Sequence, residues 1–135
     1  MSTTLQAIED FIASWEATAE GNKAGFIRLK DRLASKEESV LEFHPRPGVT
    51  YSLRGTVPGK VRTLYVMVDV IEDEPRWLSV CFFGDMITDP EEQGAFVPGG
   101  LLGSDAVCFD LEACSEDALL YVEARIDEAH RSAVK

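Results

Sequence analysis

The sequence predicts an α+β domain in which two N-terminal helices and one C-terminal helix pack mainly on one face of a five-stranded antiparallel meander sheet. Two observations predict this fold class. Apolar residues keep helical spacing near both ends of the 135-residue chain, and alternating apolar residues joined by short turn-rich links fill its middle. A chain of this length can build its own core without disulfides or metals. We therefore assign residues 1–135 to a single domain.

The predicted helices lie at the two ends of the chain. The first begins within residues 2–4, where serine and threonine can cap it, and ends at Gly21. The second spans about 22–35, although Gly25 weakens the helical pattern of its first turns. The third begins after the cap residue Ser115 and carries one apolar stripe, formed by Leu119, Val122, Ile126 and Ala129.

Five predicted strands lie between the helices, at residues 40–44, 49–56, 62–71, 76–83 and 106–111. Short links rich in proline, glycine or charge join the first four, so successive strands are expected to pair antiparallel. The order of elements is similar to that of small bacterial domains of the TfoX N-terminal and YjbR type, which wrap helices around an antiparallel sheet. This resemblance covers the layout and implies no function.

Alternate side chains of a strand point to opposite faces of its sheet, which divides the strand residues into two sets. One set, the apolar face, is almost wholly hydrophobic and is expected to lie under the helices. The other set, the mixed face, combines polar, aromatic and sulfur-containing side chains. It comprises Glu42, His44, Thr50, Ser52, Arg54, Tyr65, Met67, Asp69, Ile71, Trp77, Ser79, Cys81, Phe83, Ala106, Cys108 and Asp110.

The mixed face is the candidate site for a ligand or partner. A solvated sheet face is not expected to carry so much aromatic and sulfur-containing surface, so something is expected to cover it. The candidates are a helix of the same chain, a second copy of the protein, or a small ligand in a concave sheet. The residues assigned to the site are His44, Arg54, Tyr65, Met67, Asp69, Trp77, Cys81, Phe83 and Cys108.

Asp69 interrupts the apolar strand TLYVMVDVI, where a carboxylate is costly unless it is paired or reaches water. Arg54 on the neighbouring strand faces the same way and is the expected partner. Asp69 either forms an ion pair at a covered face or orients a ligand. The arginines Arg46, Arg62 and Arg76 lie near turns and are expected to be solvated.

The three cysteines are an odd number without metal-ligand spacing, so we expect neither zinc nor another metal or cofactor. Cys81 and Cys108 share the mixed face and are expected to be close neighbours. A nucleophilic cysteine needs a base, whereas His44 is separated from Cys81 by several strands. Inert thiols are the favoured interpretation, and unpaired thiols together with an acidic N-terminus indicate a cytoplasmic protein.

The segment between the last two predicted strands, residues 84–105, is too apolar for a solvated loop. We expect a helical turn from Pro90 to Gly94, and we expect the segment to fold back and close one end of the core. A lid over a site is the alternative. Its glycines match no phosphate-binding motif. The hydrophobic residues assigned to it are Met86, Phe96, Leu101 and Leu102.

The charge balance limits the partners. Lys and Arg number 13 against 24 Asp and Glu, which gives a net charge of −11, and no basic cluster could follow a nucleic-acid backbone. No apolar run is long enough to cross a membrane. The predicted function is a non-enzymatic module for protein interaction or small-ligand binding. The alternatives are an acidic inhibitor or immunity-type protein that binds a basic partner, and a small enzyme with a site around Asp69, Cys81 and His44.

Overall fold

The computed structural model describes residues 3–135 and consists of helices at both ends of the chain with strands between them. The helices are α1 (Thr3–Ser14), α2 (Asn22–Ala34) and α3 (Glu116–Val134). The strands are β1 (Val40–Arg46), β2 (Thr50–Thr56), β3 (Leu64–Ile71), β4 (Trp77–Phe83), β5 (Ala95–Leu101) and β6 (Ser104–Leu111), and a 3-10 turn at Gly84–Met86 follows β4. The predicted α+β class is confirmed.

The sheet has six strands, not five, and its order is β1-β2-β3-β4-β6-β5 with antiparallel pairing throughout. The five predicted strands are present in the predicted order, as β1, β2, β3, β4 and β6, and β6 pairs antiparallel with β4. The additional strand, β5, lies within the predicted loop 84–105 and forms a hairpin with β6 at the sheet edge. The sequence of β5 contains one proline and two glycines, so it does not match the residue pattern of a strand. An edge strand tolerates these residues because the backbone groups on its outer side need no hydrogen bonds to another strand.

The first helix is shorter than predicted, because α1 ends at Ser14 rather than at Gly21. The amide of Trp15 donates to the carbonyl of Ile12 (3.1 Å), which closes a tight last turn, and the indole of Trp15 is buried in the core. The helix therefore ends at Ser14, although the apolar pattern of the sequence continues beyond this residue. The proposed cap Ser2 lies outside the described residues.

Aromatic contacts join α1 to the sheet. The ring centroid of Phe11 lies 4.4 Å from that of Tyr51 and 5.6 Å from that of Phe43. The guanidinium of Arg76 lies 5.1 Å from the Phe11 ring, 5.2 Å from Tyr51 and 5.5 Å from Trp15. Arg76 also donates to the Glu72 carboxylate at 2.9 Å. The expectation that Arg76 is solvated is wrong, since cation–π stacking and this ion pair hold it against the core.

Ion pairs join α2 to α3. Arg28 binds Glu116 at 2.7 Å and Glu123 at 2.9 Å, while Arg32 and Lys36 both bind Asp127. Glu123 is almost fully buried, so its carboxylate needs the donors that Arg28 supplies. These contacts fix how the two helices lie beside each other.

A β-bulge between β2 and β3 changes the face of Tyr65. Gly55 pairs with Val66 and Thr56 pairs with Leu64, so Tyr65 is the extra residue of its strand. Its ring lies 5.4 Å from the His130 ring of α3, its hydroxyl is 2.6 Å from Ser39 Oγ, and it is fully buried. The assignment of Tyr65 to the mixed face is therefore wrong, because simple alternation fails at a bulge.

Residues 84–105 are held by both apolar and polar contacts. Leu101 and Met86 enter the core with 2% and 7% exposure, which agrees with the predicted closure, whereas Phe96 is 64% and Leu102 71% exposed. The predicted helical turn at 90–94 is reduced to a single hydrogen-bonded turn, in which the amide of Glu92 donates to the carbonyl of Asp89 at 3.0 Å. The Asp89 carboxylate also accepts hydrogen bonds from the backbone amides of Gln93 and Gly94.

Side chains of α3 attach this segment to the domain. The amide and hydroxyl of Thr88 donate to the Glu128 carboxylate at 2.9 Å and 2.6 Å, and the Tyr121 hydroxyl donates to Asp89. Sequence reasoning assigned the order of the segment to its hydrophobic residues alone. These polar pairs were missed because their members lie more than thirty residues apart in the chain.

We predict that Gly25→Ala destabilises the protein by about 1–3 kcal/mol, because a β-carbon at this position would lie 2.5 Å from Cys114 Sγ and 2.8 Å from Cys114 Cβ. The sign of the change in the free energy of unfolding is informative, because Gly→Ala at an unhindered helical site stabilises the helix. Urea unfolding measures the effect. In a Cys114→Gly background the substitution should be neutral or stabilising, and equal destabilisation in both backgrounds would contradict the steric explanation.

We predict that Leu101→Ser lowers the free energy of unfolding by about 2 kcal/mol or more, because it removes a buried side chain and leaves a cavity. Phe96→Ser, on the same strand, should change it by less than about 0.5 kcal/mol because this ring is mostly exposed. Thermal or urea unfolding compares the two variants. Equal losses of stability in the two variants would contradict the finding that Leu101 is buried and Phe96 is exposed.

Candidate functional site

The strand register arranges the mixed face in rows. One row runs Ser52, Asp69, Ser79, Asp110 across β2, β3, β4 and β6. The next row runs Arg54, Met67, Cys81, Cys108 across the same strands. Apart from Tyr65, the residues that strand parity assigns to these two rows are therefore cross-strand neighbours in the structure.

Two other assigned residues do not contribute free surface at the centre of the face. Phe83 is 2% exposed, and the guanidinium of Arg62 lies 4.3 Å above its ring. Arg62 is exposed, as expected, and it also pairs with Asp85 at 2.8 Å. His44 is exposed on the edge strand β1, where its Nε2 lies 3.1 Å from Glu42. The candidate surface narrows to the part around Met67, Asp69 and Trp77, all partly exposed.

Asp69 is the most unusual group of this surface. Its Oδ1 is shielded from solvent and has no hydrogen-bond partner. Burial raises the pKa of this carboxyl above its ordinary value, although the Ser52 hydroxyl and the charge of Arg54 oppose the shift. The expected Arg54–Asp69 ion pair does not occur among residues 3–135, because Arg54 Nε donates to Ser52 Oγ at 3.2 Å.

Cys81 and Cys108 face each other across β4 and β6, with a Cα–Cα distance of 4.1 Å, and are joined by a disulfide. Their predicted proximity is correct, but the expectation of inert free thiols is not. A disulfide sulfur is no nucleophile, so Cys81 has no such role in this form. The pairing also removes the argument from unpaired thiols for a reducing compartment. Burial raises the pKa of the free thiol of Cys114 to about 11.

Trp77 lies between the mixed face and a recess of about 520 Å³. Its indole Nε1 donates to Asp73 Oδ2 at 3.3 Å. The recess is unusually acidic, and its lining includes four carboxylates, those of Glu20, Asp73, Glu74 and Glu112. Sequence reasoning missed this group because three separate connections supply it. The acidic turn EDEP next to Trp77 was the available signal.

Within residues 3–135 no group of three or more His, Cys, Asp or Glu side chains is arranged to hold a metal ion. No helix in the same range combines the length and apolar character needed to cross a bilayer.

The chain was compared with protein-family models, curated proteins and solved structures, and none of the three comparisons finds a match. The similarity of layout to the TfoX N-terminal and YjbR type therefore gains no support from a family model. The function has to be argued from the site.

We predict that Asp69→Asn raises the free energy of unfolding at neutral pH by roughly 1 kcal/mol, because it removes a charge whose oxygen lacks a donor. The folded-state pKa is raised, so the wild-type carboxylate destabilises the fold above that pKa. The advantage of the variant should vanish as the pH falls below the pKa of the unfolded carboxyl, where the wild-type side chain is also neutral.

Urea unfolding at a series of pH values measures this difference. Asp110→Asn, an exposed acid in the same row, is the control and should change stability little. If Asp69→Asn instead destabilises the protein at neutral pH, Asp69 is paired with Arg54 in solution after all.

Proposed function

We propose that this protein is a non-enzymatic binding module whose mixed face holds a protein partner, a second copy of the chain or a small ligand. The observation that carries the proposal is the unpartnered Oδ1 of Asp69, on a face that also exposes parts of Met67 and Trp77. A buried acceptor without a donor costs about 1–3 kcal/mol. Because Oδ1 is shielded in the free protein, an occupant relieves this cost when the Asp69 side chain turns this oxygen towards a donor on the occupant.

The contacts of the helices support this proposal. The aromatic contacts of α1 and α3 with the sheet reach Phe43, Tyr51, Tyr65 and Phe109, all of which belong to the apolar face once the bulge is considered. We infer that the helices lie mainly on that face. A helix of the same chain is then no longer the expected cover for the mixed face, which leaves a protein partner, a second copy of the chain or a small ligand.

The two alternatives differ in their support. The net charge of −11 favours an acidic inhibitor or immunity-type protein that binds a basic partner. An enzyme built on Asp69, Cys81 and His44 has little support, because the sulfur of Cys81 is bonded to Cys108 and the imidazole of His44 lies at an exposed edge beside Glu42. Cys81 therefore offers no thiolate in this form, and His44 lies in the same cross-strand row as Asp69 but is separated from it by Ser52.

We predict that Trp77→Ala abolishes binding at the mixed face, because a large aromatic at the centre of an interface often dominates its energy. Two-dimensional NMR measures binding of a mixed library of small molecules and short peptides, and sedimentation measures self-association. Amide shifts should cluster on β3, β4 and β6 in the parent and disappear in the variant. Helical circular dichroism should stay nearly unchanged.

Leu120→Ala on α3 is the matched control, since Leu120 is a half-exposed apolar residue away from the sheet face. It should leave binding and sedimentation unchanged. If Trp77→Ala unfolds the protein, Trp77 belongs to the folding core and the proposal must be dropped. Shifts that cluster on the helices would also contradict it.

A further inference from the structure

We propose that the occupant of the mixed face is a basic protein segment, which places an arginine or lysine side chain against Asp69 and Trp77. This inference rests on the proposed function and names the chemistry of the partner. The cationic group would pair with the carboxylate of Asp69, a residue that is partly exposed although its Oδ1 is shielded, and stack on the partly exposed indole of Trp77.

The two residues are placed to act on one group. Asp69 pairs with Ser79 and Ile71 pairs with Trp77 across β3 and β4, so Asp69 and Trp77 are diagonal neighbours on the same face. Diagonal neighbours are separated by about 7–8 Å, within reach of one long side chain. The aliphatic stem of an arginine or lysine would lie over Met67 or Ile71 while its head reaches the carboxylate.

The distribution of charge favours a cation. The basic residues of the mixed face, His44, Arg46 and Arg54, lie on β1 and β2. The strand residues of β3, β4 and β6 on this face include the carboxylates of Asp69 and Asp110 and no basic residue, and the acidic recess continues from Trp77. Arg62, which lies over Phe83 on β4, is already paired with Asp85. This half of the face is electrostatically complementary to a basic segment and repels an acidic one.

Three arginines near the mixed face have contacts other than Asp69. Arg54 donates through Nε to Ser52, Arg62 binds Asp85 and Arg76 binds Glu72. Within residues 3–135 Asp69 Oδ1 has no donor although Arg54 lies on the neighbouring strand, which leaves this carboxylate open to a donor from another molecule.

The test uses the full-length protein and a short blocked peptide in which arginine alternates with glycine and serine. Matched peptides carry citrulline, which keeps the shape but lacks the charge, or glutamate in place of arginine. NMR titration measures affinity and location at low and high ionic strength, and the arginine peptide should shift the amides around Asp69 and Ser79. The affinity of the citrulline peptide should be at least about tenfold lower than that of the arginine peptide.

Asp69→Asn should weaken binding of the arginine peptide about tenfold while keeping the fold. Asp117→Asn, at an exposed acid on α3, has the same net charge and should bind nearly as tightly as the parent. Equal weakening in both variants would mean that net charge alone attracts the peptide, and the inference would be overturned.

Failure of the inference can be distinguished from failure of the proposed function. If the citrulline or glutamate peptide binds as well as the arginine peptide and Trp77→Ala abolishes that binding, the mixed face is a binding surface but its occupant is not a cation. If the free protein dimerises through this face and Trp77→Ala makes it monomeric, the occupant is a second copy and the basic segment is excluded. Peptide shifts elsewhere, unaffected by Trp77→Ala, would contradict both proposals.

Discussion

Burial of one face of the antiparallel sheet sets the direction in which each strand residue points, and the helices pack according to it. Leu53, Val68 and Val80 lie at its centre and are fully shielded from solvent. Because side chains alternate, every residue buried on this face directs its strand neighbours to the other face. Burial of the apolar face therefore determines which residues lie on the mixed face. It does not determine which side chains those positions carry, so they can be suited to binding.

The ion pairs explain how so acidic a chain keeps its elements together. Several basic side chains neutralise carboxylates where elements meet, as Arg28 does between α2 and α3 and Arg76 does beside the aromatic rings of α1. Exposed ion pairs contribute little to stability by themselves, but the partly buried ones satisfy groups such as Glu123. Within residues 3–135 the carboxylates that line the recess beside Trp77 have no ion pair with a basic side chain.

The mixed face combines two features that do not favour the isolated fold. Asp69 has a shielded oxygen without a donor, and Trp77 keeps part of its ring in solvent. A protein under selection for stability alone would remove both, since Asn at position 69 or a smaller polar residue at position 77 fits a solvated face. Local violations of this kind are expected where a surface serves binding. The disulfide between Cys81 and Cys108 joins two strands of the same surface.

Local spacing predicts the three helices, the strands β1, β2, β3, β4 and β6, and the parity that places Asp69, Trp77, Cys81 and Cys108 on one face, because the periods of helix and strand differ. Contacts between residues distant in the sequence produce the features that spacing does not predict. The bulge turns Tyr65 inward over Gly55, α1 ends at Ser14 although the apolar pattern continues, and β5 pairs as an edge strand despite Pro98. Asp69 Oδ1 likewise has no donor within residues 3–135 while Arg54 Nε donates to Ser52 Oγ, an arrangement of three side chains that strand spacing does not reveal.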